Sequence, residues 1–329
     1  MKVLVTGGAG YIGSHAVREL RDAGHAVTVL DDLSHGHRAS VPKDVPLVTA
    51  DLGDAAAVEE AAAGTDAVLH FAGLLNIAES VADPFPYYCT NVAKGLVLLS
   101  AMEAAGVRRI VFSSTCATYG MPVAVPMDET HPQAPINPYG ATKRAFENAL
   151  ADYARAGRLR AMALRYFNAA GCHPDGSLGE DHDPEEHLIP RAIDAALGRM
   201  PGLTIHGEDY DTPDGTCIRD YIHVQDLARA HVLALEVLDR GEAFTVYNLG
   251  TGSGHSVREV LSAVERVTGR AVPARVGARR PGDPPRLVAS AERAARELGF
   301  RPAHVALDDI VGTAFRWREA HPGGYGAAS

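Results

Sequence analysis

Val3-Leu4-Val5-Thr6-Gly7-Gly8-Ala9-Gly10-Tyr11-Ile12-Gly13 carries a short apolar run into a helical pattern through glycines at positions 7, 10 and 13. Gly7 permits a tight turn after a strand, Gly10 lets backbone approach a pyrophosphate, and Gly13 lets the helix pack on the strand. A helix opening at Ile12 points free N–H groups at phosphates. Glycine turns are common, so the surroundings carry the reading. A strand pattern precedes this one, a helix pattern follows, and Asp31 stands after the next strand. A carboxylate there bonds the adenosine ribose hydroxyls and repels a 2′-phosphate, which predicts NAD rather than NADP. The competing role for Asp31 is a turn or cap residue.

Working outward, β-branched runs at 26–30, 47–50, 67–70, 109–113 and 161–165 alternate with helical patterns at 12–23, 55–63, 84–105 and 138–156. Repeated βα units predict an α/β fold, a Rossmann-type doubly wound parallel sheet buried on both faces. After Asn168 the rhythm loosens. Residues 171–184 read as a loop, and 188–197, 224–238, 257–268 and 291–298 as helices. Ser256 and Glu259 have capping-box spacing. Val246-Tyr247-Asn248-Leu249 reads as a strand returning to the main sheet. The expected division is an NAD-binding domain over 1–168 with a returning segment around 220–250, and a smaller mixed C-terminal substrate domain over 169–329. Gly250, Gly252 and Gly254 lack the phosphate spacing and read as a loop.

The net charge of −10 disfavours a nucleic-acid partner. An acidic chain that binds an anion must concentrate its arginines locally. No apolar run reaches membrane-spanning length, and the N-terminal run is too short for a signal peptide, so a cytoplasmic protein is expected. Cys89, Cys116, Cys172 and Cys217 lie far apart without a CxxC pair, which suggests neither zinc nor a disulfide framework. His35 and His37 read as polar-loop residues, and no metal site is expected.

In Asn137-Pro138-Tyr139-Gly140-Ala141-Thr142-Lys143, Asn137 suits an N-cap and Pro138 the first helical position. Tyr139 and Lys143 then share a helix face. A nearby ammonium and a positive nicotinamide ring favour the phenolate and move the phenol toward general acid–base use. A surface pair on an amphipathic helix is the alternative, because YxxxK arises often by chance. Upstream, residues 111–120 run a strand into a hydroxyl-rich loop, and ligands of doubly wound sheets bind at the carboxyl ends of strands.

These motifs resemble the extended short-chain dehydrogenase/reductases and, within them, the UDP-glucose 4-epimerase family. The resemblance spans nearly the whole chain. It includes His70-Phe71-Ala72-Gly73, Leu164-Arg165-Tyr166-Phe167-Asn168 and Gly179-Glu180-Asp181. It continues with Arg219-Asp220-Tyr221-Ile222-His223-Val224, Tyr247-Asn248-Leu249-Gly250 and Arg279-Arg280-Pro281-Gly282-Asp283. It implies that Tyr139 takes the proton of the sugar 4-hydroxyl while NAD takes hydride from C4. The 4-keto sugar then turns over and is reduced on its other face. Lys143 tunes Tyr139, and Thr115 supplies the catalytic hydroxyl. By resemblance, Asp51 and Leu52 lie by the adenine, Phe71, Ala72, Gly73 and Asn91 line the cofactor, and Phe167 backs the nicotinamide. Asn168, His187, Leu188, Thr204, His206, Arg219, Tyr221, Arg280 and Asp283 look like substrate positions, with arginine suited to a diphosphate. Members are usually cytoplasmic homodimers with tightly held NAD.

Four positions depart from the family pattern. Leu75 replaces a lysine that touches the cofactor. His187 and His206 stand where Asn and an aromatic are familiar. Leu287 falls at the sugar-pocket gate, where Tyr excludes N-acetylated sugars and a small residue admits them. Related dehydratases carry an Asp-Glu pair after the Thr; Cys116 and Ala117 stand there instead and disfavour dehydration. Uronate epimerases and decarboxylases are closer rivals. A non-catalytic NAD-sensing protein on the same fold is the rival from another class, although such proteins typically lose the Tyr or Lys.

Overall fold

The computed structural model describes residues 1–280 and 282–326. Pro281 of the 279–283 motif and residues 327–329 of the expected second domain lie outside the described residues.

The chain opens with β1 (Lys2–Thr6), α1 (Tyr11–Asp22), β2 (Ala26–Asp31), β3 (Leu47–Thr49), α2 (Ala55–Ala62) and β4 (Ala67–His70). Next come α3 (Ile77–Ala82), α4 (Phe85–Tyr88), α5 (Lys94–Ala104), β5 (Arg109–Thr115), α6 (Pro138–Arg155) and β6 (Arg160–Tyr166). The second half holds β7 (Asn168–Ala170), α7 (Leu188–Ala196), β8 (Leu203–His206), β9 (Ile218–His223), α8 (Val224–Val237) and β10 (Phe244–Leu249). It ends with β11 (Gly254–Ser256), α9 (Val257–Thr268), β12 (Ala274–Gly277), β13 (Arg286–Leu287), α10 (Glu292–Glu297) and α11 (Leu307–Ala320).

The main sheet has seven strands in the order β10-β6-β5-β4-β1-β2-β3, and every pairing in it is parallel. Val3, Leu4 and Val5 are almost wholly buried, because one apolar core covers each face of the sheet. Residues of α1 and α8 fill one core, and residues of α2, α5 and α6 fill the other. Strand order reverses between β1 and β4. The crevice beyond their carboxyl ends is where a doubly wound sheet takes its ligand.

A third core unites α7, α9 and α11 with β9. A smaller sheet runs β11-β9-β13, with β7 also on β9, and β8 pairs with β12. The doubly wound sheet and smaller mixed C-terminal region thus match the sequence expectation. The capping box at Ser256 and Glu259 is present. The loop at 250–252 wraps the buried Asp220, whose carboxylate accepts from Thr251 N, Gly252 N and Ala289 N.

One helix differs from the expectation. Residues 84–105 are not continuous: a π turn, Cys89–Ala93, separates α4 from α5. The wide turn carries Asn91 inward. Its side chain accepts from Leu74 N at 2.8 Å and donates to Leu74 O at 3.0 Å and Thr142 Oγ1 at 3.1 Å. The irregularity ties the loop after β4 to α6, and π turns recur at functional sites for this kind of reason.

Candidate active site

Gly7 has φ +73, and a Cβ there would lie 2.4 Å from Ala72 N. A Cβ on Gly13 would lie 2.1 Å from the Gly7 carbonyl oxygen. Both glycines are therefore required by the protein's own packing. Gly10 is different: its nearest neighbour to an added Cβ is Gly7 O at 3.4 Å. No close contact inside the chain demands glycine there, and a side chain would instead fill the cradle over the N-terminus of α1. Asp31 is buried, and its carboxylate accepts from Ala9 N and Leu33 N, both at 2.9 Å. It braces the turn; burial raises its pKa, and the two N–H bonds oppose the rise. Asp51 pairs with Lys94, and Leu52 is buried.

Asn137 caps α6 by accepting from Gly140 N, with Pro138 in the first turn. A Cβ on Gly140 would sit 2.4 Å from Ala117 O, so the helix start presses against the turn that follows β5. That contact brings Tyr139 beside Thr115, whose hydroxyl acts on the phenol. Lys143 donates from Nζ to Ser113 O at 3.1 Å and stands 6.0 Å from the Tyr139 ring centroid. Tyr139, Lys143 and Thr115 are each 8% exposed or less. The structure thus assembles all three predicted catalytic residues at one strand end.

Their electrostatics are set mainly by burial. Burial raises the Tyr139 phenol, the adjacent Tyr166 adds to the rise, and the Thr115 hydroxyl works against it. Lys143 is not among the groups that move the phenol most. Burial lowers the ammonium to about 8, with Glu147 partly offsetting the fall. The ammonium is directed at the Ser113 carbonyl. It keeps two further N–H donors for a ligand.

Phe167 is buried with Tyr119, Met127 and Ala289, and Leu287 and Cys116 pack against this group. Asn168 pairs with Tyr221 across β7 and β9. Arg219 on β9 is ion-paired with Asp283. Burial raises the Cys217 thiol, while Arg219, Asp283 and the exposed Arg280 all act on it, so these three charges surround one point. Thr204 and His206 lie on β8 opposite Arg275 and Gly277 of β12. His187 is the N-cap position of α7, directly before Leu188. Leu75 is 49% exposed.

Sequence reasoning passes over two networks. Glu147 and Arg165 form a buried ion pair that also engages Ser114, Gln133 and Tyr119, while Tyr119 donates to Asn248. It locks β5, α6 and β6 together behind Lys143. The other gathers Glu180, His182, Glu185 and His187, whose ligand-type atoms all lie within 4.8 Å of one another. The expectation of no metal site was drawn from other histidines; the spacing of these four in the sequence was the available signal. Burial works against charge on His182, yet Glu180 and Glu185 push it up to about 9.

Residues 3–250 match the NAD dependent epimerase/dehydratase family. The UDP-glucose 4-epimerase of Azospirillum brasilense is 52% identical over 321 residues, 97% of this chain and 92% of the relative. The chain belongs to this family. The crystal structure of UDP-glucose 4-epimerase from Brucella ovis in complex with NAD is similar with a TM-score of 0.93 at 51% identity, covering 96% of this chain and 97% of that one. The structure of the Bifidobacterium longum UDP-glucose 4-epimerase in complex with NAD+ and UDP is similar with a TM-score of 0.93 at 39% identity, covering 98% and 100%.

The family's cofactor is NAD, and the residues present fit it. The cradle at Gly10 is open, α1 directs its N-terminus there, and Lys143 has donors to spare. No helix among the described residues is long and apolar enough to cross a membrane.

Proposed function

We propose that this chain interconverts UDP-galactose and UDP-glucose through a transient 4-keto sugar, with Tyr139, Lys143 and Thr115 as its catalytic residues. The observation that carries the reading is the buried Tyr139–Thr115 contact with Lys143 behind it, at the strand end beside the glycine turn. NAD, when bound, supplies hydride acceptance and return at C4. Gly7, Gly10, Tyr11, Ile12 and Gly13 hold its pyrophosphate, and Asp31 its ribose. Tyr139 takes the 4-hydroxyl proton and later restores it. Thr115 orients that oxygen through its own hydroxyl. Lys143 stabilises the phenolate as the proton arrives and leaves. Arg219, Arg280 and His187 hold the diphosphate end, so the sugar turns while its nucleotide stays fixed. In this reading residues 1–168, with the returning segment around 220–250, bind the cofactor, and 169–329 mainly bind the UDP-sugar.

Purified protein supplied with UDP-galactose should yield UDP-glucose without added NAD. A folded sample that makes none even with NAD present would sink the reading.

We also infer a cytoplasmic homodimer. The described cysteines are all unpaired, which suits a reducing compartment. Ile77, Val81, Phe85, Tyr88 and Leu96 on α3 to α5 are 40–72% exposed, and a partner copy would cover such apolar side chains. Phe85→Glu should shift the mass measured by light scattering from two chains to one; an unchanged mass would place the interface elsewhere.

A further inference from the structure

Glu180 lies in the connection before α7 with its side chain 4% exposed. Its Oε1 stands 2.5 Å from His187 Nδ1 and 3.4 Å from His182 Nδ1. Glu185 Oε1 reaches the same nitrogens at 3.5 Å and 3.8 Å. The connection is clamped from both sides. Toward the cofactor, the Tyr11 ring meets His182 edge-on at 5.9 Å, and His37 donates to Asp181 O at 2.8 Å. Toward α11, Arg318 donates to Glu185 at 2.8 Å.

His187 therefore turns Nδ1 to two carboxylates at ion-pair distance, which favours a hydrogen on that nitrogen; among the described residues, the buried Glu180 Oε1 and His182 Nδ1 have no hydrogen-bond partner. Nε2 is left on the open side of a side chain that is 44% exposed. In the neutral ring, an Nδ1–H leaves Nε2 an acceptor; in the cation, Nε2 is a donor. Phosphate oxygens and uracil carbonyls are acceptors, so only the cation complements them.

We propose that Glu180 is a positioning residue: it holds His187 as the imidazolium whose outward Nε2–H donates to the nucleotide. This rests on the reading of His187 as a nucleotide contact. The charged groups facing His187 are Glu180, His182 and Glu185 in the connection and Arg318 on α11. Arg318 also binds Asp194, and Tyr11 and Cys172 flank Glu180. Burial opposes the charge on His187, and Glu180 and then Glu185 override it, raising its pKa well above the ordinary range.

The test measures KM and kcat for UDP-galactose between pH 6 and 9 in the NAD-loaded wild type, Glu180→Gln, His187→Asn and the double variant. Wild-type KM should show no rise near pH 7. In Glu180→Gln, where Glu185 alone still faces His187 at 3.5 Å, KM should begin to climb at a lower pH than in the wild type and inside the measured range, while kcat moves far less. The double variant should lose that climb, because an amide donor does not titrate. A Glu180→Gln KM raised equally at every pH, or a climb that persists in the double variant, overturns the proposal. His187→Ala with wild-type affinity for UDP also overturns it, by removing the nucleotide contact on which it rests. Should Glu180→Gln fail to fold, 15N NMR of histidine-labelled wild type at pH 8 decides: an imidazolium at His187 supports the proposal and a neutral ring ends it. Stoichiometric zinc in the wild type, lost in His182→Ala, would reassign the four residues to a metal and likewise overturn it.

Discussion

Beside the glycine turn, functional side chains are held mainly by neutral hydrogen bonds in a buried crevice; beside α7 and β9 they are held by opposite charges at partly exposed positions. Tyr139, Thr115 and Asn91 are buried and hydrogen-bonded to hydroxyls, amides or backbone. His187, Arg219 and Asp283 are partly open and paired with one another or with Glu180. A rigid, pre-formed surround suits a ligand that stays and whose reacting atom must be placed accurately. Ion pairs suit a ligand that arrives and leaves, since an arginine released from Asp283 can take a phosphate without a bare buried charge at either stage. The contrast teaches that one chain supports retention and exchange with different bonding.

The sharpest way to break the comparison is at its neutral side. Tyr139→Phe should cut kcat by about 10²–10⁴-fold while the purified protein keeps its NAD absorbance. Near wild-type turnover would remove Tyr139 from the mechanism. Gly13→Ala comes next. Its Cβ meets Gly7 O at 2.1 Å, and the backbone shift should cost about 3 kcal/mol, read as a lower Tm and NAD lost on gel filtration. Wild-type Tm and NAD content would show the turn to be more yielding than its packing implies.

Protonation sharpens the contrast. Burial holds His15 and His231 neutral, lowering both to about 4. An unfolded chain protonates them near ~6.5. Their stability contribution is thus complete above that pH and declines toward 4, by up to about 3 kcal/mol each. His182 has the opposite sign: its folded value is about 9, so its contribution is complete below ~6.5 and lost as pH rises through 9. Urea midpoints should fall on both sides of neutrality. His182→Gln should flatten only the alkaline limb, and an unaltered limb would detach it from that network. The smallest effect is at the sugar gate. Leu287→Tyr should reduce N-acetylhexosamine turnover about tenfold more than glucose turnover, the scale of steric discrimination in a pocket. A constant ratio would argue against Leu287 as the gate.

Legibility followed the same divide. The strands around Val3, Leu69 and Val111 are buried on both faces and read as apolar runs, so the parallel sheet and the glycine turn were visible in the chain. Asn137 and Pro138 announced α6, and with it the Tyr139–Lys143 face. Charge-built elements were harder. Strand β9 carries Arg219, Asp220 and His223, whose polar character hides its period, although Asp220 and His223 are almost wholly buried. Helix α11 starts at Ala306 without a side-chain cap, and only tertiary contact explains it: Trp317 lies against Gly179, where a Cβ would come within 2.0 Å. The Asn91 irregularity also depends on a distant loop, which local periodicity cannot report. The Glu180–His187 grouping needed the clamp from Tyr11 and Arg318 to gain meaning.

The seventh strand has a consequence for synthesis. On the ribosome, β6 is complete at Tyr166, but its outer neighbour β10 begins only at Phe244. At ~5–20 residues per second, the interval is roughly 4–16 s. Throughout it, Ala161, Met162, Ala163 and Leu164 form a bare apolar edge on an otherwise pairing-competent sheet, the kind of edge that recruits foreign strands. A nascent chain stalled between those points should therefore be the species most in need of a chaperone, and slowing translation after residue 166 should lower the soluble yield.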